Sequence, residues 1–330
     1  MDESKENSIE VRDLRVTYYP EDGIPIRAVD RIDFDLGPKE VVGILGESGC
    51  GKSTVASALL RILPPHAKCD TGEILFRGHN LLNLSERHLR AIRGREISMI
   101  PQDPALSLNP VMTAGSQIGE VLLAHLGLNA KRRRERVLEL LAEVGFAQPE
   151  EIYSAYPHQL SGGSRQRIVI AQAVACRPAF LIADEPTSKL DATLRAEIIG
   201  LLSRTRRQHG TAILVISHDP TIFAGFADRV AVMYAGRIVE VGGTAEIFRR
   251  PLHPYTQALA RIANHSVMSG TSVRMRLPSI AGESPDPAHL PVGCPFEPRC
   301  PERMGICVRS YPREFLPEPS HPVNCFKYER

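Results

Sequence analysis

Gly46-Glu47-Ser48-Gly49-Cys50-Gly51-Lys52-Ser53-Thr54 is the stretch on which the reading of this chain turns. It fits the pattern G-x-x-x-x-G-K-[ST]. The residues before it, 40–45, are a short apolar run of the kind a buried strand requires. Those after it, 52–63, are helix formers that stop at Pro64 and Pro65. Strand, glycine-rich loop and helix, in that order, form the setting in which such a loop cradles phosphate. Glycines let backbone N–H groups turn inward without Cβ clashes, and the start of the following helix adds its positive dipole end. Lys52 is then placed to reach the β- and γ-phosphates of a nucleotide, and the Ser53 hydroxyl to ligate Mg2+. The plain alternative is a glycine-rich turn with an incidental lysine, and the flanking strand and helix argue against it.

Outward from this loop the chain alternates. Residues 9–16 and 27–36 have β-like apolar spacing around a proline-bounded turn at 20–25, which reads as a small antiparallel sheet. Residues 97–100 read as a short strand, and 111–145 as a helical insertion with Val137, Leu140, Leu141 and Val144 on one stripe. Apolar runs at 180–183, 212–216 and 229–233 are separated by helical patterns, which implies a mostly parallel sheet. The run at 180–183 leads into Asp184 and Glu185. A carboxylate at the end of a buried strand sits where a phosphate-bound Mg2+ needs it, and a second one beside it can orient or deprotonate water. Past Pro251 proline becomes frequent and apolar runs short, so a boundary is expected near 250.

Composition bounds the rest. The 330 residues are 43% hydrophobic, enough for a sizeable core. Lys and Arg total 40 against 38 for Asp and Glu, so there is no global electrostatic reason to bind nucleic acid. The basic run at 131–136 reads as a solvated helix face. The longest apolar stretches, such as 168–176, fall short of the roughly 18–20 residues needed to cross a bilayer. The polar start, 1–10, does not look like a secretion signal, so a cytoplasmic protein is expected that meets a membrane only through partners. Of the seven cysteines, Cys50, Cys69 and Cys176 are scattered, while Cys294, Cys300, Cys307 and Cys325 crowd the C-terminus. Four thiols in a proline-rich, core-poor segment suit a stabilising metal centre. Their spacing lacks the short Cys-to-Cys gap usual for structural zinc and does not choose the metal; zinc and free or disulfide-linked thiols stay open.

Between the two halves of the phosphate site lies Leu160-Ser161-Gly162-Gly163-Ser164-Arg165-Gln166-Arg167. Ser161, Gly162 and Gly163 opening a helix make a second anion site. The stretch resembles the signature of ABC ATPases, and the resemblance covers nearly the whole chain. It implies a P-loop ABC ATPase core, a mostly parallel sheet with an antiparallel β-subdomain, spanning 1–250. It further implies a helical subdomain insertion at about 104–165 and a small C-terminal cysteine-containing domain at 251–330. ATP is then bound by 46–54 and, in the opposite subunit's site, by Ser161, Gly162 and Gly163. By the same resemblance Gln102 is the glutamine that senses Mg2+ and the lytic water, Asp191 belongs to the D-loop, and His218 contacts the γ-phosphate. Tyr18, or alternatively Tyr19, stacks on adenine. Lys52, Gln102, Glu185 and His218 form the catalytic set, and Ser53, Gln102 and Asp184 the Mg2+ set. Two residues depart from the family pattern: Ser164 replaces a glutamine and Lys189 an alanine. They point to heterodimeric pairing with a second ABC ATPase subunit.

Asp103-Pro104-Ala105-Leu106-Ser107-Leu108-Asn109-Pro110 and His253-Pro254-Tyr255-Thr256 are similar to the dipeptide, oligopeptide and nickel importer ATPases. The spacing of about 115 residues from Gly46 to Ser161 suits a compact transport ATPase. It does not suit the coiled-coil relatives of a non-transport ABC ATPase. What the resemblance implies is ATP-driven peptide uptake, with a nickel or other small solute as the alternative. Two transmembrane permease subunits and an extracytoplasmic solute-binding protein are the further partners, and the ATPase sits at the cytoplasmic face of the inner membrane. For Cys294, Cys300, Cys307 and Cys325 the resemblance implies a [4Fe–4S] cluster.

Overall fold

The computed structural model describes residues 8–21, 23–188, 190–268 and 280–329. The Lys189 substitution lies outside them. The chain begins with β1 (Ile9–Tyr18) and β2 (Ile26–Leu36), each burying alternate residues. β3 (Val41–Leu45) is buried at all five positions, as a central strand must be. The phosphate loop leads into α1 (Lys52–Leu59), followed by β4 (Ala67–Phe76), β5 (His79–Asn80), α2 (Glu86–Ile92) and β6 (Ile97–Ile100). Asp103 caps α3 (Pro104–Ser107) and Thr113 caps α4 (Ala114–Leu126), which stops at Gly127 in the left-handed conformation. Asn129 caps α5 (Ala130–Glu143), and α6 (Pro149–Ser154) follows. Ser161 caps α7 (Gly162–Val174) ahead of β7 (Phe180–Asp184). Asp191 opens α8 (Ala192–His209) and left-handed Gly210 closes it before β8 (Ala212–Ser217). The chain ends with β9 (Arg229–Tyr234), β10 (Arg237–Gly243), α9 (Thr244–Arg249), α10 (Pro254–Met268), β11 (Phe315–Glu318) and β12 (His321–Val323).

These elements form two compact units. Among the described residues the first comprises 37–40 and 83–215. In it β6 and β7 pair in parallel, Ile97 opposite Phe180 and Ile100 opposite Ala183, and β8 neighbours β7. The helices α4 to α7 pack on one another. Val137, Leu140 and Leu141 of α5 are wholly buried, as are Ile118 and Leu122 of α4. The basic run is a helix face: Arg136 is held by Glu139 and Glu143 at 2.9 and 2.8 Å, and Arg134 lies over the Tyr153 ring.

The second unit comprises 8–36, 41–82 and 216–330. It holds the antiparallel sheet in the order β2-β1-β4-β5. It also holds the run β11-β12-β10-β9-β3, in which only β9 and β3 are parallel. The cysteine-bearing segment has a better core than its composition promises. Tyr234, Tyr255 and Phe296 meet with ring centroids 4.6 to 5.4 Å apart, and His253 packs against Phe296 at 5.8 Å. Among the described residues no helix is long and apolar enough to cross a membrane.

A buried carboxylate organises this corner. Glu240 accepts the backbone N–H groups of Leu252 and His253, each at 2.8 Å, and pairs with His321 Nε2 at 2.7 Å. Hydrogen bonding to Glu240 holds the His321 imidazole above its usual range. His253 behaves oppositely: burial pushes it down to about 4, and its Nδ1 accepts the N–H of Tyr255. The signs differ accordingly. The His321 pair is fully present below an unfolded value of about 6.5 and is lost as pH rises through the raised folded value. His253 takes up its proton more readily unfolded, so its contribution is lost as pH falls from about 6.5 towards 4. We expect the melting temperature to drop across that acidic window and His253→Gln to flatten the drop; identical slopes for the two proteins would refute this.

Candidate nucleotide-binding site

In the second unit the phosphate loop leaves β3 and is fixed on both sides. The Gly46 N–H donates to the Ser217 carbonyl at 3.4 Å, so the end of β8 adjoins the loop. A Cβ on Gly46 would meet the Met233 carbonyl oxygen at 2.3 Å. Gly51 has φ +106°, and a Cβ there would meet the Ala28 carbonyl oxygen at 2.1 Å. Neither position admits another residue. Lys52 is 6% exposed, and its Nζ donates to the carbonyls of Gly46 and Glu47, each at 2.8 Å. This is an ammonium gathered into its own loop, with peptide oxygens standing in the role a phosphate oxygen fills. The donor chemistry fits a nucleotide phosphate. Ser48, Gly49 and Ser53 are exposed, Thr54 is half-buried and Cys50 is buried; desolvation pushes the Cys50 thiol up.

The Tyr18 hydroxyl lies 3.3 Å from Thr54 Oγ1, which sets that ring beside the loop. Tyr19 is occupied elsewhere, its hydroxyl donating to Asp70 at 2.9 Å. His218 is exposed directly after Ser217, whose carbonyl receives Gly46. The structure thus gathers 46–54, Tyr18 and His218 in one unit. It adds contacts the sequence reading did not contain. The Glu47 N–H donates to Tyr255 Oη at 2.9 Å. Its carboxylate receives Arg299 at 2.6 and 3.0 Å and Ser284 at 3.2 Å. The motif signals only the loop; partners more than 200 residues away carry no local mark.

The first unit carries the other residues. Asp184 is buried at the end of β7, and its hard carboxylate suits Mg2+. Glu185 has φ +49°, a left-handed backbone that turns the chain sharply out of the strand. Gln102 is exposed two residues past β6. Ser161 and Gly162 are exposed, with the Ser161 hydroxyl accepting the Ser164 N–H at 3.1 Å and donating to Ser164 Oγ at 3.0 Å. A Cβ on Gly162 would meet nothing, whereas on Gly163 it would strike Leu194 Cδ2 at 2.3 Å. Gly163 is therefore required by helix packing, and Gly162 faces open space. Asp191 caps α8 by accepting the Leu194 N–H at 2.9 Å.

The four C-terminal cysteines are not joined in disulfides. The Cys294 N–H donates to the Cys307 carbonyl at 2.8 Å. Burial pushes the Cys294 thiol up to about 11, with the charges of Cys307, Cys325 and Cys300 adding to it. Cys300 and Cys325 are raised in the same way. The thiols thus feel one another. Among the described residues, however, no three His, Cys, Asp or Glu side chains are arranged to hold a metal ion.

Comparison with known proteins agrees with these features. Residues 29–188 match the ABC transporter family, and residues 239–307 match the family described as oligopeptide/dipeptide transporter, C-terminal region. The chain is 44% identical over 322 residues to the dipeptide transport ATP-binding protein DppD of Bacillus subtilis, covering 97% of this chain and 95% of that protein. It is 43% identical over 319 residues to the oligopeptide transport ATP-binding protein OppD of Salmonella typhimurium, covering 97% and 93%. Among solved structures, the dimeric structure of MJ0796, a bacterial ABC transporter cassette, superposes with a TM-score of 0.65 at 28% identity, over 72% of this chain and 98% of that one. Phosphate loop, Ser-Gly-Gly helix start and C-terminal region together place this chain in the family of ABC transporter ATP-binding subunits of the oligopeptide/dipeptide type.

Proposed function

We propose that this chain hydrolyses ATP to drive peptide uptake as the peripheral ATPase of a membrane importer, at the cytoplasmic face of the inner membrane. One observation carries the reading: the region shared with oligopeptide/dipeptide transporters supplies Tyr255, whose hydroxyl receives the N–H of Glu47 in the phosphate loop. The transporter-type region and the nucleotide loop are thus joined by this hydrogen bond and by those of Ser284 and Arg299 to the Glu47 carboxylate. On this reading 1–250 is the nucleotide-binding domain with a helical subdomain at about 104–165, and 251–330 is the C-terminal domain.

The residue roles follow. Lys52 and the loop N–H groups bind the β- and γ-phosphates, and Tyr18, set beside Thr54, stacks on adenine. Ser53, Asp184 and Gln102 would hold Mg2+, which when bound would neutralise charge on the phosphates. Glu185 orients or deprotonates water, and His218 contacts the γ-phosphate. Exposed Ser161 and Gly162, with Gly163 and Asp191, serve the nucleotide of a second ATPase subunit. Ser164 and Lys189 fit a heterodimer, in which the two subunits present non-identical signatures. Two permeases and an extracytoplasmic solute-binding protein complete the assembly. Cys294, Cys300, Cys307 and Cys325 are proposed to hold a [4Fe–4S] cluster, supported by their number in one short segment and the family likeness.

Four outcomes test this. Glu185→Gln is expected to lower ATP turnover by roughly 10²–10⁴-fold with ATP binding retained; unchanged turnover removes Glu185 from the chemistry. Membranes are expected to yield two polytopic permeases with the tagged chain, and deletion of its gene to abolish uptake of a labelled dipeptide. Anaerobically purified protein is expected to show a visible absorption band that dithionite bleaches; bound zinc without such a band would exclude the cluster.

A further inference from the structure

Glu47 presents an electrostatic problem. It is a carboxylate inside a loop whose task is to bind a polyanion, and the motif asks for no particular side chain at its position. Left unpaired, its charge would repel the incoming phosphates. The structure meets that charge with Arg299, whose side chain is 5% exposed against 26% for Glu47. Both carboxylate oxygens are taken, Nη1 to Oε2 at 2.6 Å and Nη2 to Oε1 at 3.0 Å. The guanidinium is itself oriented: its Nε donates to the Ala281 carbonyl at 3.0 Å and Nη1 to Tyr234 Oη at 3.3 Å. A planar fork held on three sides fixes direction as well as charge. The turn that carries it is bracketed by two cysteines: the Glu297 N–H donates to the Cys294 carbonyl and the Cys300 N–H to the Glu297 carbonyl.

The backbone of Glu47 completes the case. Its carbonyl receives Lys52, its N–H is accepted by Tyr255, and its carboxylate is held by Arg299. Two of the three Lys52 donors lie on the loop carbonyls, and the third, 3.9 Å from Cys50 Sγ, is the one a phosphate oxygen can take. Tyr255 and Arg299, both supplied by the chain beyond residue 250, hold Glu47 in the loop.

We propose that Arg299 is a positioning residue for nucleotide: by neutralising and orienting Glu47 it sets the phosphate loop's affinity for ATP, so that the C-terminal segment tunes the nucleotide site. The inference rests on ATP hydrolysis by this chain.

The test uses the full-length protein assembled with its partner ATPase subunit and reads KM and kcat for ATP, together with binding of a fluorescent ATP analogue. Arg299→Ala is expected to raise KM and the analogue's dissociation constant about tenfold or more, with kcat changed less than about twofold. Adding Glu47→Gln to that variant is expected to restore much of the affinity, because the repelling charge is gone. The Arg299→Ala defect is expected to shrink as salt rises from 0.05 to about 0.5 M, since screening weakens the repulsion. Arg299→Lys is expected to fall between the wild type and Arg299→Ala, and it stands in should the alanine variant fail to fold. Wild-type KM in Arg299→Ala overturns the proposal, as does a defect that neither Glu47→Gln nor salt relieves. Absence of hydrolysis in the wild type would instead sink the ATPase reading, and the analogue's affinity would still decide the role of Arg299.

Discussion

Lys52 is a buried ammonium, and a buried cation must be met by oxygen atoms wherever the chain can bring them. Two peptide carbonyls of its own loop meet it here. That requirement propagates outward. The loop must curl tightly enough to aim those carbonyls and its N–H groups inward, which forces Gly51 to a left-handed φ and brings Gly46 against the Met233 backbone of β9. β9 in turn is parallel to β3, and β3 has no exposed residue. The antiparallel strand β2 contributes the Ala28 carbonyl that leaves no room for a Cβ at Gly51. The architecture of the second unit is thus organised around holding one charge in a place from which a polyanion can attract it.

Much of this was legible from residue order. The loop motif is local, so its strand and helix could be read on either side of it. The strands at 97–100, 180–183, 212–216 and 229–233 are mostly apolar stretches, and each appears within a residue of its expected end. The elements that escaped reading are those whose burial depends on a distant neighbour. β4 and β10 mix polar and apolar residues, and β12 is three residues long, paired with β10 through Val323 and Glu240. α10 begins at Pro254, in a region whose prolines suggested little core. Its core is aromatic and assembled from Tyr234, Tyr255 and Phe296, which no window of sequence contains together. The pairing of Glu47 with Arg299 spans 252 positions and so left no periodic trace.

The signature region shows how a departure from a family pattern can be locally consistent. Ser164 stands where a glutamine is usual, and its hydroxyl accepts from Ser161 while its N–H is capped by the same side chain. A shorter residue keeps the helix start intact and leaves Gly162 facing open space. Glu185 shows the converse, a residue whose backbone is held in a sparsely populated conformation beside a buried carboxylate. Such strain persists only where the surrounding packing over-determines it, and β7 with all five residues buried provides that.

The discontinuity of the second unit bears on how the polypeptide is made. Its first two stretches, 8–36 and 41–82, leave the ribosome long before its third, 216–330. The first unit, in contrast, lies almost entirely within 83–215 and has its complement of helices as soon as that stretch has emerged. Domains tend to fold as they appear during synthesis. The phosphate loop therefore waits, translated early yet without Met233, Tyr255 or Arg299 around it, until the last third of the chain is complete. The supports that meet the phosphate loop at Met233, Tyr255 and Arg299 are thus contributed only once the last third of the polypeptide exists.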